Sequence, residues 1–157
     1  MKQQLFTAIS ILALSTFILS CNKEDKKDSP APPTDPKTLI VGDWKLDSYT
    51  SDQPVVWFNG ATASTNGFAE MPSCFLDNIV SFKSDGAYVI TEGASKCASG
   101  DDDIFYQTTW SLTHSQLILD DDTSTVIQLD ASVLKFITKE NIGPNSTPVT
   151  TTLTLKR

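Results

Sequence analysis

Few residues in this 157-residue chain are of types that do chemistry, and their spacing excludes most of what they might do. There is one histidine, His114, in a short turn between two apolar runs. A single turn histidine is an exposed surface group and cannot make a paired-His zinc motif such as H-E-x-x-H. No G-x-S-x-G nucleophile turn occurs, and the seven glycines never gather into a phosphate-binding loop. Asp101-Asp102-Asp103 and Asp120-Asp121-Asp122 lack the alternating acids and central glycine of an EF-hand loop. Both read as solvated loop faces. Asp77 and Glu92 are the residue type that pairs for glycoside hydrolysis, which needs two carboxyl groups roughly 5–10 Å apart. Nothing in their spacing brings them together. No catalytic residue, metal or cofactor is expected.

The three cysteines divide into one and two. Lys2 is followed by an apolar run from Leu5 to Leu19, the length of a signal-peptide core and too short for a comfortable membrane span. Ile18-Leu19-Ser20-Cys21 then resembles a lipobox, which makes residues 1–20 a signal peptide and Cys21 the lipidated N-terminus. Two or more acyl chains hold a protein stably on a bilayer. In such an exported chain the remaining Cys74 and Cys97 are expected to form a disulfide. A ring of about 24 residues is worth roughly 3.5 kcal/mol in the loop-entropy account. Residues 22–38 carry four prolines and eight charges with no large apolar side chain, so 21–38 is expected as a disordered tether. Its Lys23-Glu24-Asp25 resembles the signal that exports lipoproteins of Bacteroidetes-type bacteria to the outer face of the outer membrane. The formal charge of −7 falls to −8 once Lys2 is removed. Such a surface repels phosphate backbones, so nucleic acid is not an expected partner.

From Leu39 to Arg157 short β-branched and aromatic runs alternate with turn residues, and no long helical periodicity appears. Strands are predicted near 40–50, 54–58, 76–83, 86–92, 104–113, 116–120, 124–130, 132–139 and 147–156. Ser84-Asp85-Gly86 is a hairpin signal, Asp121-Asp122-Thr123 a short turn, and Gly143-Pro144-Asn145 a longer one. A helix is expected only within 59–73. Alternation pairs Trp44 with Leu46, Val80 with Phe82, Tyr88 with Ile90, Trp110 with Leu112, Leu117 with Leu119, Ile127 with Leu129, Leu134 with Phe136 and Leu153 with Leu155 on one buried face. A strand every 8–12 residues with short links reads as an antiparallel meander, all-β, as a sandwich or an up-and-down barrel.

Gly42-Asp43-Trp44 opens the domain. Cys74-Phe75-Leu76-Asp77-Asn78, Phe82-Lys83-Ser84-Asp85-Gly86-Ala87-Tyr88, Glu92 to Cys97 and Thr109-Trp110-Ser111-Leu112 follow in order. Together with the N-terminus, this set resembles the lipocalin-like domain of Bacteroidetes-type lipoproteins. The resemblance implies a small up-and-down β-barrel over 39–157. It also implies barrel closure by Gly42 and Trp44, with Arg157 or Lys156 stacked on the tryptophan. The chain departs from full lipocalins in being short and in lacking a recognisable C-terminal helix. The function expected is non-enzymatic binding of a small apolar or amphipathic molecule, with Trp57, Phe58, Tyr88 and Trp110 as contacting residues. Trp57 and Phe58 serve equally well as core. The alternative is a filled barrel acting as an interaction module for a surface protein. Labelled fatty acid fed to cells should enter the wild-type chain and not Cys21→Ala; equal labelling of both would refute lipidation at Cys21.

Overall fold

The computed structural model describes residues 35–58, 60, 62–142 and 147–157. The expected signal peptide, Cys21 and the tether up to residue 34 lie outside the described residues, as does the Gly143-Pro144-Asn145 turn. Among the described residues a short helix, α1 (Pro36–Ile40), precedes nine strands. These are β1 (Gly42–Val55), β2 (Ser64–Asn66), β3 (Ile79–Phe82), β4 (Ala87–Thr91), β5 (Ile104–Thr113), β6 (Gln116–Leu119), β7 (Asp122–Leu129), β8 (Val133–Glu140) and β9 (Val149–Lys156). A single 3-10 turn, Ser73–Phe75, sits between β2 and β3.

All pairings are antiparallel. From β3 to β9 each strand pairs with the next in sequence, and β1 closes the ring by pairing with both β3 and β9. The result is an eight-stranded up-and-down barrel with the short β2 added to the far end of β1. One strand can serve three partners because it is long and bent. Gly42–Lys45 pairs with β3, Lys45–Ser51 with β9, and the last residues with β2. The bend falls where Leu46 faces Leu155 but Ser48 faces Thr154, leaving Asp47 as an extra residue. Such bulges increase local twist and let a sheet curl on itself. Closure leaves β1 and β9 no free edge against each other.

One end of the barrel is sealed. Asp35 caps α1: its carboxylate accepts from the Lys37 amide at 3.2 Å, and Pro36 occupies the first helical position, where its missing N–H costs nothing. The helix turns Ile40 fully into the core. Trp44, also buried, donates its indole N–H to the Ile40 carbonyl at 2.8 Å. Above it the Arg157 guanidinium lies 3.9 Å from the ring centroid. The same guanidinium donates to the carbonyls of Leu39 at 3.0 Å and Val41 at 2.6 Å. Gly42 has φ +128°, and a Cβ there would come 3.0 Å from Arg157 Nη2, so only glycine lets the strand start beneath the arginine. Phe82, Leu112, Leu117, Leu134 and Leu155 fill the space behind this cap.

Several expectations need correction. Residues 36–38, expected as tether, belong to α1. The predicted strands 40–50 and 54–58 merge into β1 up to Val55, and the described residues of 59–73 hold β2 and the first residue of the 3-10 turn, with no α-helix among them. The expected 121–123 turn is tighter, because β7 already begins at Asp122. Ile127 is 53% exposed, not inward. The ladder runs Val126 with Phe136 and then Gln128 with Lys135, so Ile127 is the unpaired bulge residue and Val126 takes its place against the core. The other alternating pairs lie in or against the core.

Replacing a buried tryptophan by alanine costs about 3–5 kcal/mol, so Trp44→Ala should lower the melting temperature by many degrees. Arg157→Ala should lower it less, since a cation–π contact is worth about 0.5–2 kcal/mol. Because the two groups touch, the double variant should lose less than the sum of the singles. Strict additivity in thermal melts would deny the stacking any energetic role.

Candidate ligand-binding site

The opposite end of the barrel carries the long connections. Residues 56–78 cross it between β1 and β3, and residues 92–103 link β4 to β5. The disulfide Cys74–Cys97 ties these two segments together, with Cα atoms 5.2 Å apart. Trp57 pins the first of them. It is 2% exposed, donates its indole N–H to the Ser64 carbonyl at 2.8 Å and packs edge-on to Tyr49 at 4.7 Å. Gly67 lies flat on the ring; a Cβ there would stand 2.7 Å from indole carbons. With Trp57 fixed, the next residue turns sharply: Phe58 has φ +49°, a conformation costly for a bulky side chain. That turn carries the half-exposed Phe58 ring over the barrel.

Beneath it lies a cavity of about 250 Å³. Phe58, Met71 and Phe75 form its roof, and Leu46, Val80, Tyr88, Ile90, Phe136, Leu153 and Leu155 its walls. Asn78 is the one polar residue type among them besides the tyrosine hydroxyl. Phe105 closes one side, its ring 5.2 Å from that of Phe75. It is there because the β4–β5 ladder slips: Ile90 pairs with Tyr106 and Thr91 with Ile104, so Phe105 is the extra residue.

A second chamber, of about 560 Å³, shares the walls Tyr88, Ile90, Phe136 and Leu153. Its remaining lining is polar and includes Asp122, Ser124, Thr138, Lys139, Glu140 and Asn141. Here Tyr49 donates its hydroxyl to Glu140 Oε2 at 2.7 Å, and the fully buried Thr151 donates to Glu140 Oε1 at 2.7 Å. Burial, then the hydrogen bond to Glu140, then its negative charge hold the Tyr49 hydroxyl protonated well above the ordinary tyrosine range. Burial raises Tyr88 from 10.0 to about 12, with Tyr106 adding in the same direction.

Of the four residues expected to contact ligand, the structure brings Phe58 and Tyr88 to one cavity. Trp57 instead holds the overlying segment. Trp110 is at the sealed end, donating its indole N–H to the Lys83 carbonyl at 2.9 Å. Asp77 and Glu92 each keep a buried oxygen without a hydrogen-bond partner among the described residues, Asp77 Oδ1 and Glu92 Oε2. No group of three or more metal-ligating side chains is found among the described residues. Sequence reasoning passed over Phe105, Tyr49 and Glu140. The run Ile104-Phe105-Tyr106 was a visible signal, since strict alternation has no use for three successive large apolar residues.

The lipocalin-like domain family matches residues 40–136. The chain belongs to that family. Among solved structures, the lipocalin-like chain is similar to the bovine lipocalin allergen Bos d 2, at 12% identity and a TM-score of 0.44, covering 77% of this chain and 74% of the other. No curated protein matches it.

The tyrosine shifts of this lipocalin-like barrel set its alkaline limit. Folding favours protonated Tyr88, so its contribution is fully present below pH 10 and is lost as pH rises to about 12, while the unfolded chain ionises first. Denaturant midpoints should fall over that window, by an amount on the order of 2 kcal/mol from Tyr88. Tyr88→Phe should flatten that part of the profile. An unchanged profile in Tyr88→Phe would show that the side chain is not buried as described.

Proposed function

We propose that this chain is a membrane-anchored, non-enzymatic binding protein whose lipocalin-like barrel takes up a small apolar or amphipathic molecule at its open end. The observation that carries this reading is the apolar cavity of about 250 Å³ roofed by Phe58, Met71 and Phe75. Ligand sites are typically concave, mostly apolar and furnished with a few polar groups, and this pairing of chambers has that composition. An eight-stranded barrel is barely wide enough to be filled by its own side chains, so retained space is informative. The lipidated Cys21 supplies the anchor in this proposal. In the same proposal Lys23-Glu24-Asp25 after it directs the protein to the outer membrane, facing outward. The half-exposed run Ile104, Phe105 and Tyr106 favours a second reading, contact with a surface protein beside the mouth.

The environment-sensitive probe N-phenyl-1-naphthylamine should bind the described domain saturably and with enhanced fluorescence. Leu153 lines both chambers, so Leu153→Trp should fill them and weaken binding at least about tenfold, a difference of roughly 1.4 kcal/mol. Probe binding unaffected by Leu153→Trp, in a variant that still melts cooperatively, would move the ligand elsewhere on the surface.

A further inference from the structure

Glu140 is an acid on the inner side of a barrel. Along β8, Leu134 and Phe136 are buried inward, and the period of two continues through Thr138 to Glu140. Its partners are likewise inward: Tyr49 faces Leu153 across β1 and β9, and Ser51 faces Thr151. A carboxylate in such a position is costly unless it is hydrogen-bonded. Tyr49 and Thr151 each satisfy one oxygen at 2.7 Å. An ionised carboxylate has about four acceptor sites, and these two bonds use half of them among the described residues. Both bonds also fix the side chain's position beside a chamber of about 560 Å³.

The charges around that chamber have a sign. Asp122, Lys139 and Glu140 all line it, a balance of one negative charge, and of the three only Glu140 is not exposed. The whole chain is acidic as well. An anionic head group, whether carboxylate or phosphate, would meet repulsion here. A protonated amine would gain a charge-assisted hydrogen bond, roughly twice as strong as one between neutral groups. The wall shared with the apolar cavity sets the shape of the rest of the ligand. Tyr88, Ile90, Phe136 and Leu153 belong to both chambers, so a molecule with its cation at Glu140 can lay an apolar body across them into the smaller space. That space of about 250 Å³ suits a short apolar tail.

We propose that Glu140, oriented by Tyr49 and Thr151, is the head-group receptor of this cavity, and that the ligand class is a cationic amphiphile: an amine carrying a short apolar tail. The assignment rests on the binding function proposed above and makes it specific.

The experiment titrates the domain calorimetrically with decylamine, decanol and decanoate at neutral pH. Decylamine should bind about tenfold or more tightly than either of the others. Glu140→Gln should abolish that preference while leaving decanol affinity within about twofold. Because Glu140→Gln disturbs two hydrogen bonds, the wild type supplies an independent reading. Added salt should weaken decylamine binding and leave decanol unchanged, as expected for a charge–charge contact. Equal affinity for the three probes, or an amine preference that survives both Glu140→Gln and high salt, overturns the Glu140 assignment while the cavity stands. Binding of none of the three overturns the binding function itself.

Discussion

The barrel depends on how β1 is divided. Its first four residues pair with β3 and Lys45 to Ser51 pair with β9, so that Lys45 is held by both neighbours just before the bulge at Asp47. Without this double pairing the eight strands would remain a curled sheet with two unsatisfied edges. The division also explains where the core is densest. Trp44 and Leu46 sit at the switch, facing Val80 on one side and Leu155 on the other. The seal of Arg157 over Trp44 then protects the seam from the end. Other features, including the exposed Asp47–Lys156 ion pair at 2.9 Å, add little at such accessibility.

From the seal outward the interior changes character in steps. Behind the cap it is wholly aliphatic and aromatic, as the cluster of Ile40, Phe82, Leu112, Leu117 and Leu134 shows. At mid-height the side chains no longer fill the space, and Tyr88, Phe136 and Leu153 border open volume on both sides. At the open end the β8–β9–β1 arc becomes polar through Tyr49, Thr138, Glu140 and Thr151. The arc of β3 to β5 stays apolar through Ile90 and Phe105. The interior is thus divided by side as well as by depth.

The architecture was readable because alternation is a strong signal when one face of every strand is buried. Seven of the proposed inward pairs lie in or against the core, and the Gly-x-Trp with a late arginine located the seal. The failures share one physical cause. Bulges at Asp47, Phe105 and Ile127 shift the phase within a strand, and a bulge leaves no mark on composition. Strict alternation therefore puts Ile127 inward and passes over Phe105. For Trp57 the sequence leaves two places open, because an aromatic beside a polar loop suits either a lip or an anchor. Gly67, ten residues later, decides for the anchor by lying against its ring, and no local pattern joins the two. Glu140 was hidden for another reason. A lone acid near a strand end is normally a surface residue, and only the register of β8 against β9 turns it inward.

One feature at the sealed end has a mechanical meaning. Asp35, where the chain enters the domain, and Arg157, where it ends, meet at the same cap, with the guanidinium holding carbonyls of Leu39 and Val41. One side chain therefore fastens the end of α1, the start of β1 and the Trp44 ring to the residue that follows β9. The two strands that close the ring are latched together at their tips as well as along their ladder. The cap works as a keystone, and the mouth at the other end is left free of that duty.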